Sequence, residues 1–318
     1  MENRYIREFV EHYFFIGINK IIIYDNNEKN GEKIDEILYD YIINDFVTIY
    51  NFRGKKHSQM EAYNEMFIKF SFQYEWIMFF DVDEFINLIQ YKNIHYFLRD
   101  KKYDKCDVIH LQWIAYADND LLFYDNRPLS IRFTRPIFKI FIDNLLVKSI
   151  FKTNKKIKFY NSHTPEGKNL KKCDVKGKSS FDYKPKKNLA IISNFTLPYI
   201  KHYQCKTIEE FFLKLIRGDV YFSKDPLKIF TKKKFFKHNK WTKEKEEMSN
   251  KFINQYKKIN SKMQKMRFMQ RKNLFVNILF SLITFVPLVL GIIALISAYI
   301  EKALMKKIIE ILKYYKKN

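Results

Sequence analysis

Asp81, Val82, Asp83 and Glu84 follow directly on the apolar run 76–80 (WIMFF). In a strand, positions i and i+2 point to one side. If the strand continues through them, Asp81 and Asp83 face one pocket. Two hard oxygen donors with open positions suit a Mg²⁺ or Mn²⁺ ion whose shell is completed by substrate phosphates. A plainer reading stands beside this one, in which Asp83 or Glu84 caps the next helix and Asp81 pairs with a lysine. A D-x-D alone does not decide between them. Its place at the end of an apolar strand favours the metal. Gly177, Lys178 and Ser179 have the look of a P-loop's end. Lys172 stands where the first glycine belongs, and no apolar strand precedes it, so that motif is set aside.

The elements that must position these carboxylates are legible in the periodicity. Residues 5–16 carry apolar side chains at 5, 6, 9, 10, 13 and 14, a helical stripe that Gly17 ends. The run 20–24 (KIIIY) reads as a strand stopped by Asp25, Asn26 and Asn27. Residues 34–43 and 58–70 read as helices, and 47–50 and 76–80 as strands. Such alternation predicts βα units and a mostly parallel sheet, with ligands beyond the carboxyl ends of the strands. Asp25 and the acidic tetrad lie at two such ends. Beyond residue 105, strand-like stretches fall at 107–114, 121–124, 137–142, 145–151 and 189–192, and 208–216 reads as a helix.

Charge and hydropathy set the remaining bounds. The chain has 58 Lys and Arg against 35 Asp and Glu, a net charge of +23 that suits an anionic partner. With 47% hydrophobic residues among 318, it can bury a sizeable core. Cys106, Cys173 and Cys205 are widely spaced, without zinc-ligand spacing, and fit a reducing compartment. The polar start MENRYIREF is not a secretory signal. Residues 274–300 form an uncharged apolar run, about 40 Å long as a helix, which is enough to cross a bilayer. Basic residues flank both ends, so they do not set its orientation. The expected organisation is a catalytic domain over 1–231, a basic helical neck over 232–273, a transmembrane helix over 274–300 and an amphipathic basic tail over 301–318 on the membrane surface. The expected location is a single-pass membrane protein with its catalytic domain in the cytoplasm.

Longer motifs carry a resemblance. The runs RYIREFVEHY from Arg4, KIIIYDNN from Lys20 and WIMFFDVDEF from Trp76 resemble those of glycosyltransferase family 92, once called DUF23, and its family 2-like relatives. So do Gln59 with Ala62, Tyr63 and Asn64; the run VKSI from Val147 with His163; and His202, Tyr203, Lys206, Thr207, Phe211, Lys214, Arg217 and Gly218 in H-Y-x-x-K-[ST]-x-x-x-F-x-x-K-x-x-R-G. The resemblance implies a GT-A fold, a nucleotide-sugar donor such as a UDP-sugar, a divalent metal held through D-x-D, and inversion at the anomeric carbon. Family members begin with an apolar strand leading to a K-N-E-like motif. Here the expected first strand is missing before Met1.

Within that resemblance, Asp83 is the first candidate metal ligand, with Asp81 on metal or ribose and Glu84 orienting them. His202 is expected as a later metal ligand within about 4–5 Å of the carboxylates, with His163 as the fallback. Asp25, Gln59 and Tyr63 are candidates for the nucleoside; for Asp25 a turn role, and for Tyr63 a packing role, stands alongside. Lys206, Lys214 and Arg217 would offset the charge of the leaving diphosphate. Asp118, Asp120 and Glu166 are candidates for the general base, with Asp118 preferred. The reading is therefore a metal-dependent hexosyltransferase acting on a glycan or lipid-linked acceptor. Two others compete with it: a truncated, inactive homologue serving as a membrane-bound binding protein, and a basic nucleic-acid-binding protein. No RRM, helix-turn-helix or finger signature supports the last, and no nucleic-acid partner is expected.

Overall fold

The computed structural model describes residues 2–55, 58–137, 146–179, 196–204, 206–217 and 242–248, with 250–254, 257–258 and 261. The chain divides into two compact units, Met1–Ser249 and Asn250–Asn318. In the second, residues 250–254 are helical. The helical residues 243–248 belong to the first unit, and residues 232–241 of the expected neck lie outside the described residues.

The first unit opens with α1 (Ile6–Phe15), whose stripe Ile6, Phe9, Val10 and Tyr13 is buried. Gly17 follows at φ 88°, a left-handed position where glycine carries no Cβ penalty. β1 (Ile21–Asp25) and β2 (Val47–Asn51) pair in parallel as a two-stranded sheet. Between them only α2 (Tyr39–Ile43) is helical, shorter than the periodicity suggests. α3 (Gln59–Phe70), β3 (Trp76–Met78) and β4 (Glu84–Asn87) bracket the acidic tetrad. α4 (Ile94–Leu98), β5 (Val108–Ala115), α5 (Leu129–Arg132), β6 (Val147–Lys152), β7 (Ile157–Lys158), β8 (Glu166–Gly167), β9 (Lys172–Asp174), β10 (Tyr199–His202) and α6 (Ile208–Arg217) follow.

The main sheet has the order β3-β6-β5-β10-β4, with β9 also against β5. Its pairs are mixed. β5 runs parallel to β10 and β9, whereas β3–β6, β5–β6 and β10–β4 are antiparallel. This corrects the mostly parallel sheet expected from the sequence. Helix–strand alternation covers only the first hundred residues. Four of the six strands of this sheet come later, and among the described residues only the short α5 lies between any of them, which permits antiparallel pairing.

β5 is buried along its whole length and fixes the register of the site. Leu111 lies opposite Lys148, Trp113 opposite Ile200, and His202 opposite both Ala115 and Glu84. Paired residues share a face, as do residues i and i+2. Lys148, Trp113, His202 and Glu84 therefore lie on one face. Lys148 Nζ and Glu84 come within 3.4 Å although β5 and β10 separate their strands. A flat sheet would hold those strands roughly 14 Å apart. The sheet curls, concave on this face.

α1 packs Phe9 edge-on against Phe85 of β4, ring centroids 6.0 Å apart, in a core shared with Ile109, Leu111 and Ile200. A second cluster joins Ile77, Val108, Phe151 and Phe159 to Tyr63 and Phe67 of α3. Each such aromatic contributes about 2 kcal/mol by burial, so α1 and α3 are held to the sheet by many anchors rather than by propensity.

Several expectations change or fall outside these residues. Cys106 and Cys173 are joined by a disulfide rather than reduced. The 121–124 stretch is not a strand: the Leu122 carbonyl and the Tyr124 N–H bond to Glu209 at the start of α6. Among the described residues no helix is long and apolar enough to cross a membrane. The run 274–300, the tail 301–318, residues 138–142 of one predicted strand and the predicted strand 189–192 lie outside the described residues.

Candidate active site

β3 ends at Met78, so the acidic tetrad is not a strand extension. It is a turn closed by Glu84. The Glu84 N–H donates to the Asp81 carbonyl at 3.0 Å, and the Asp81 N–H donates to Glu84 Oε2 at 3.1 Å. Asp81 and Asp83 thus have separate surroundings. Asp81 is half-exposed; its Oδ2 lies 3.0 Å from Lys148 Nζ, and its Oδ1 accepts from Gln59 Nε2 at 3.3 Å. Gln59 also donates to the Tyr63 hydroxyl at 3.2 Å. The one helix face expected for Gln59 and Tyr63 therefore does meet the acid turn, through Gln59.

Asp83 is buried. Its Oδ1 lies 3.7 Å from His202 Nε2, and its Oδ2 lies 3.3 Å from Lys206 Nζ and 3.5 Å from Lys214 Nζ. Burial opposes its charge, but the two ammonium groups outweigh burial and hold its carboxyl far below the usual range. Burial acts the other way on His202, lowering its pKa to about 4 and keeping the imidazole neutral. At 3.7 Å the pair makes no hydrogen bond. Glu84 is fully buried, which raises its pKa well above the ordinary carboxyl value.

An ionised carboxylate beside a neutral imidazole fits a divalent ion of the Mn²⁺ type. Among the described residues no group of three His, Cys, Asp or Glu side chains converges as a complete cage. Asp83 and His202 would supply part of a shell, and ligand oxygens the rest.

Lys206 reaches Asp83 from an unusual backbone. Its φ is 55°, left-handed for a non-glycine residue. The next residue begins a capping box. The Glu210 N–H donates to Thr207 Oγ1 at 3.2 Å, and the Thr207 N–H donates to Glu210 Oε2 at 3.1 Å. Glu210 is also held by Arg132 at 3.0 and 3.2 Å and by the Tyr5 hydroxyl. This buried network fixes the start of α6, and with it Lys206, whose Nζ also sits 4.7 Å from the Tyr5 ring centre.

The acid turn, the H-Y-x-x-K-T segment and the helix after it are thus one assembly, and they are the two long motifs of the sequence. The sequence profile of glycosyltransferase family 92 matches residues 2–278. The chain belongs to glycosyltransferase family 92. It is therefore a glycosyltransferase. Comparison with curated proteins finds no match.

In this transferase the remaining candidates are scattered. Asp25 is buried, with Oδ2 accepting from Arg53 Nε at 2.8 Å and Oδ1 from the Asn27 N–H at 3.0 Å. Both oxygens serve the β1–β2 end, which is the turn role. Tyr116, just past β5, donates its N–H to the His202 carbonyl at 3.1 Å, so the segment entering Asp118 runs beside His202. Asp118 is buried and lies 2.7 Å from Lys245 Nζ. Burial outweighs that lysine and raises its pKa. Asp120 is pulled down by Arg135 and Lys245. Glu166 is exposed in the β7–β8 hairpin. Arg217 closes α6, and its side chain lies outside the described residues. His163 donates its Nδ1–H to the Val147 carbonyl at 2.9 Å.

Two site residues escaped sequence reasoning. Lys148 is fully buried between Asp81 and Glu84; its signal was a lone cation inside the apolar strand VKSIF. Trp113 packs its ring against His202, centroids 4.2 Å apart, and against His163 at 5.1 Å. Its signal was an indole at the end of a fully buried strand.

Proposed function

We propose that this family 92 transferase moves a hexose from a UDP-sugar to a hydroxyl of a glycan or lipid-linked acceptor, on a GT-A scaffold and with inversion. The observation that carries this reading is the division of labour at Asp83: Oδ1 faces neutral His202, and Oδ2 faces Lys206 and Lys214. Asp83 and His202 would hold Mn²⁺ or Mg²⁺, while Asp81 stays with Lys148 and Gln59. When bound, the ion supplies positive charge against the leaving diphosphate. Lys206 and Lys214 bind the same diphosphate and stabilise its charge as the sugar–phosphate bond breaks. Lys148 keeps Asp81 and the buried Glu84 fixed while this happens. Asp118 takes the acceptor hydroxyl's proton as that oxygen bonds to the anomeric carbon. Its raised pKa suits a base better than that of Asp120.

The membrane anchor at 274–300 belongs to the same proposal, and with it a catalytic unit in an oxidising compartment rather than the cytoplasm, which the Cys106–Cys173 disulfide favours. Fractionation tests them: full-length protein recovered soluble without detergent removes the anchor. The catalytic reading is tested by measuring nucleotide-sugar hydrolysis and transfer with and without chelator. Turnover should require Mn²⁺ or Mg²⁺ and vanish in Asp83→Asn. Full turnover in excess chelator removes the metal, and absence of turnover with every nucleotide sugar removes the donor class.

A further inference from the structure

Trp113 Nε1 is a buried hydrogen-bond donor without a partner among the described residues. The residue is 8% exposed. Buried indole N–H groups ordinarily find an acceptor, and leaving one unmade carries a cost. The ring lies on the concave sheet face that also carries Lys148, His202 and Glu84. It touches both site imidazoles, His202 and His163. The orphan donor sits in the core cluster at the point where that core meets the site, against His202.

We infer that Trp113 is a donor-sugar recognition residue, its Nε1–H donating to a hydroxyl oxygen of the hexose carried by the nucleotide. The inference rests on the proposed reading of Asp83, His202, Lys206 and Lys214 as the diphosphate end of the donor. The hexose is bonded to that diphosphate, so it comes to lie within one ring's width of His202, where Trp113 begins. A ring this deeply buried offers no open face for stacking. The edge N–H is what it has to give, and a neutral donor suits a hydroxyl. The bond distinguishes a nucleotide that carries its sugar from the free nucleotide released after transfer.

The test is binding of UDP, UDP-galactose and UDP-glucose to the full-length protein with Mn²⁺, by calorimetry, for wild type and Trp113→Phe. Expected is UDP affinity within twofold of wild type and loss of about tenfold for the preferred UDP-hexose, the size of one neutral hydrogen bond. Equal weakening of UDP and UDP-hexose, or no weakening of either, overturns the inference. If Trp113→Phe melts early, 3-benzothienylalanine at position 113 keeps the shape without the N–H and must give the same split. A wild type that binds UDP but gains nothing from the hexose overturns Trp113 alone. A wild type that binds none of the three overturns the donor reading and Trp113 with it.

Discussion

Lys206 Nζ lies 3.3 Å from Asp83 Oδ2, both groups buried, and it is held there from a left-handed backbone position. A buried carboxylate and a buried ammonium so placed depend on each other. Removing one partner of such a pair is more damaging than replacing both.

Asp83→Asn should therefore cost about 3 kcal/mol of stability as well as turnover, because Lys206 keeps its charge without its nearest counter-ion. The double variant Asp83→Asn/Lys206→Met should regain much of the melting temperature and none of the activity. Thermal melts and donor hydrolysis on the three proteins decide this. A double variant no more stable than the single one removes the coupling.

His202 supplies the only nitrogen in the proposed ion site. Imidazole favours Mn²⁺ over Mg²⁺ relative to a carboxylate. His202→Asp should lower the ratio of Mn²⁺- to Mg²⁺-supported turnover. An unchanged ratio at saturating metal would mean that the ring does not touch the ion.

The two neighbouring acids should separate by pH. Burial raises the Asp118 pKa, while Arg135 and Lys245 lower that of Asp120. Asp118→Asn is expected to lose roughly 10²–10⁴-fold in turnover and to erase the acid limb of kcat/KM. Asp120→Asn should keep that limb. The same acid limb in both variants would assign the base elsewhere.

Stability should fall in mild acid. Burial lowers the pKa of His110 to about 3 and of His12 to about 4, below the ordinary value near 6.5. The folded state thus prefers neutral rings, and their contribution is complete above about pH 6.5. It shrinks as pH falls, because the unfolded chain takes up the protons first. At pH 5 His110 alone accounts for about 2 kcal/mol, and the loss levels off near the folded values. Denaturant midpoints from pH 7 to 4 should show this slope, and His110→Gln should flatten it.

The capping box offers a fifth lever. Thr207→Ala should cost about 1 kcal/mol and weaken diphosphate binding, because Lys206 precedes the cap directly. Thr207→Ser should restore both. UDP affinity unchanged in Thr207→Ala would separate the cap from the site.

The sequence carried the local elements well and their long-range partners poorly. The stripes of α1, α3 and α6 are periodic, and β5 is mostly apolar apart from His110 and Gln112, so burial dictates them locally. The antiparallel returns of β6 and β4 depend on register between distant segments, which no short window encodes. In the site, Asp83 was legible from the D-x-D spacing, and His202 and Lys206 from the resemblance to the family's motif. The turn role of Asp25 needed Arg53, and the Lys245 partner of Asp118 needed a segment 125 positions past Asp120. Such pairings follow from the fold and not from spacing.

The route of the chain through the acid turn also sets an order of events during synthesis. Lys206 and Lys214 follow Asp83 by 123 and 131 positions. At about 5–20 residues per second, the carboxylate leaves the ribosome roughly 6–25 s before its counter-ions. Through that interval β4 has no β10 beside it, and its edge stands open to other strands. A nascent chain must keep the tetrad hydrated until β10 arrives, so the site cannot close until the chain has been made through residue 214.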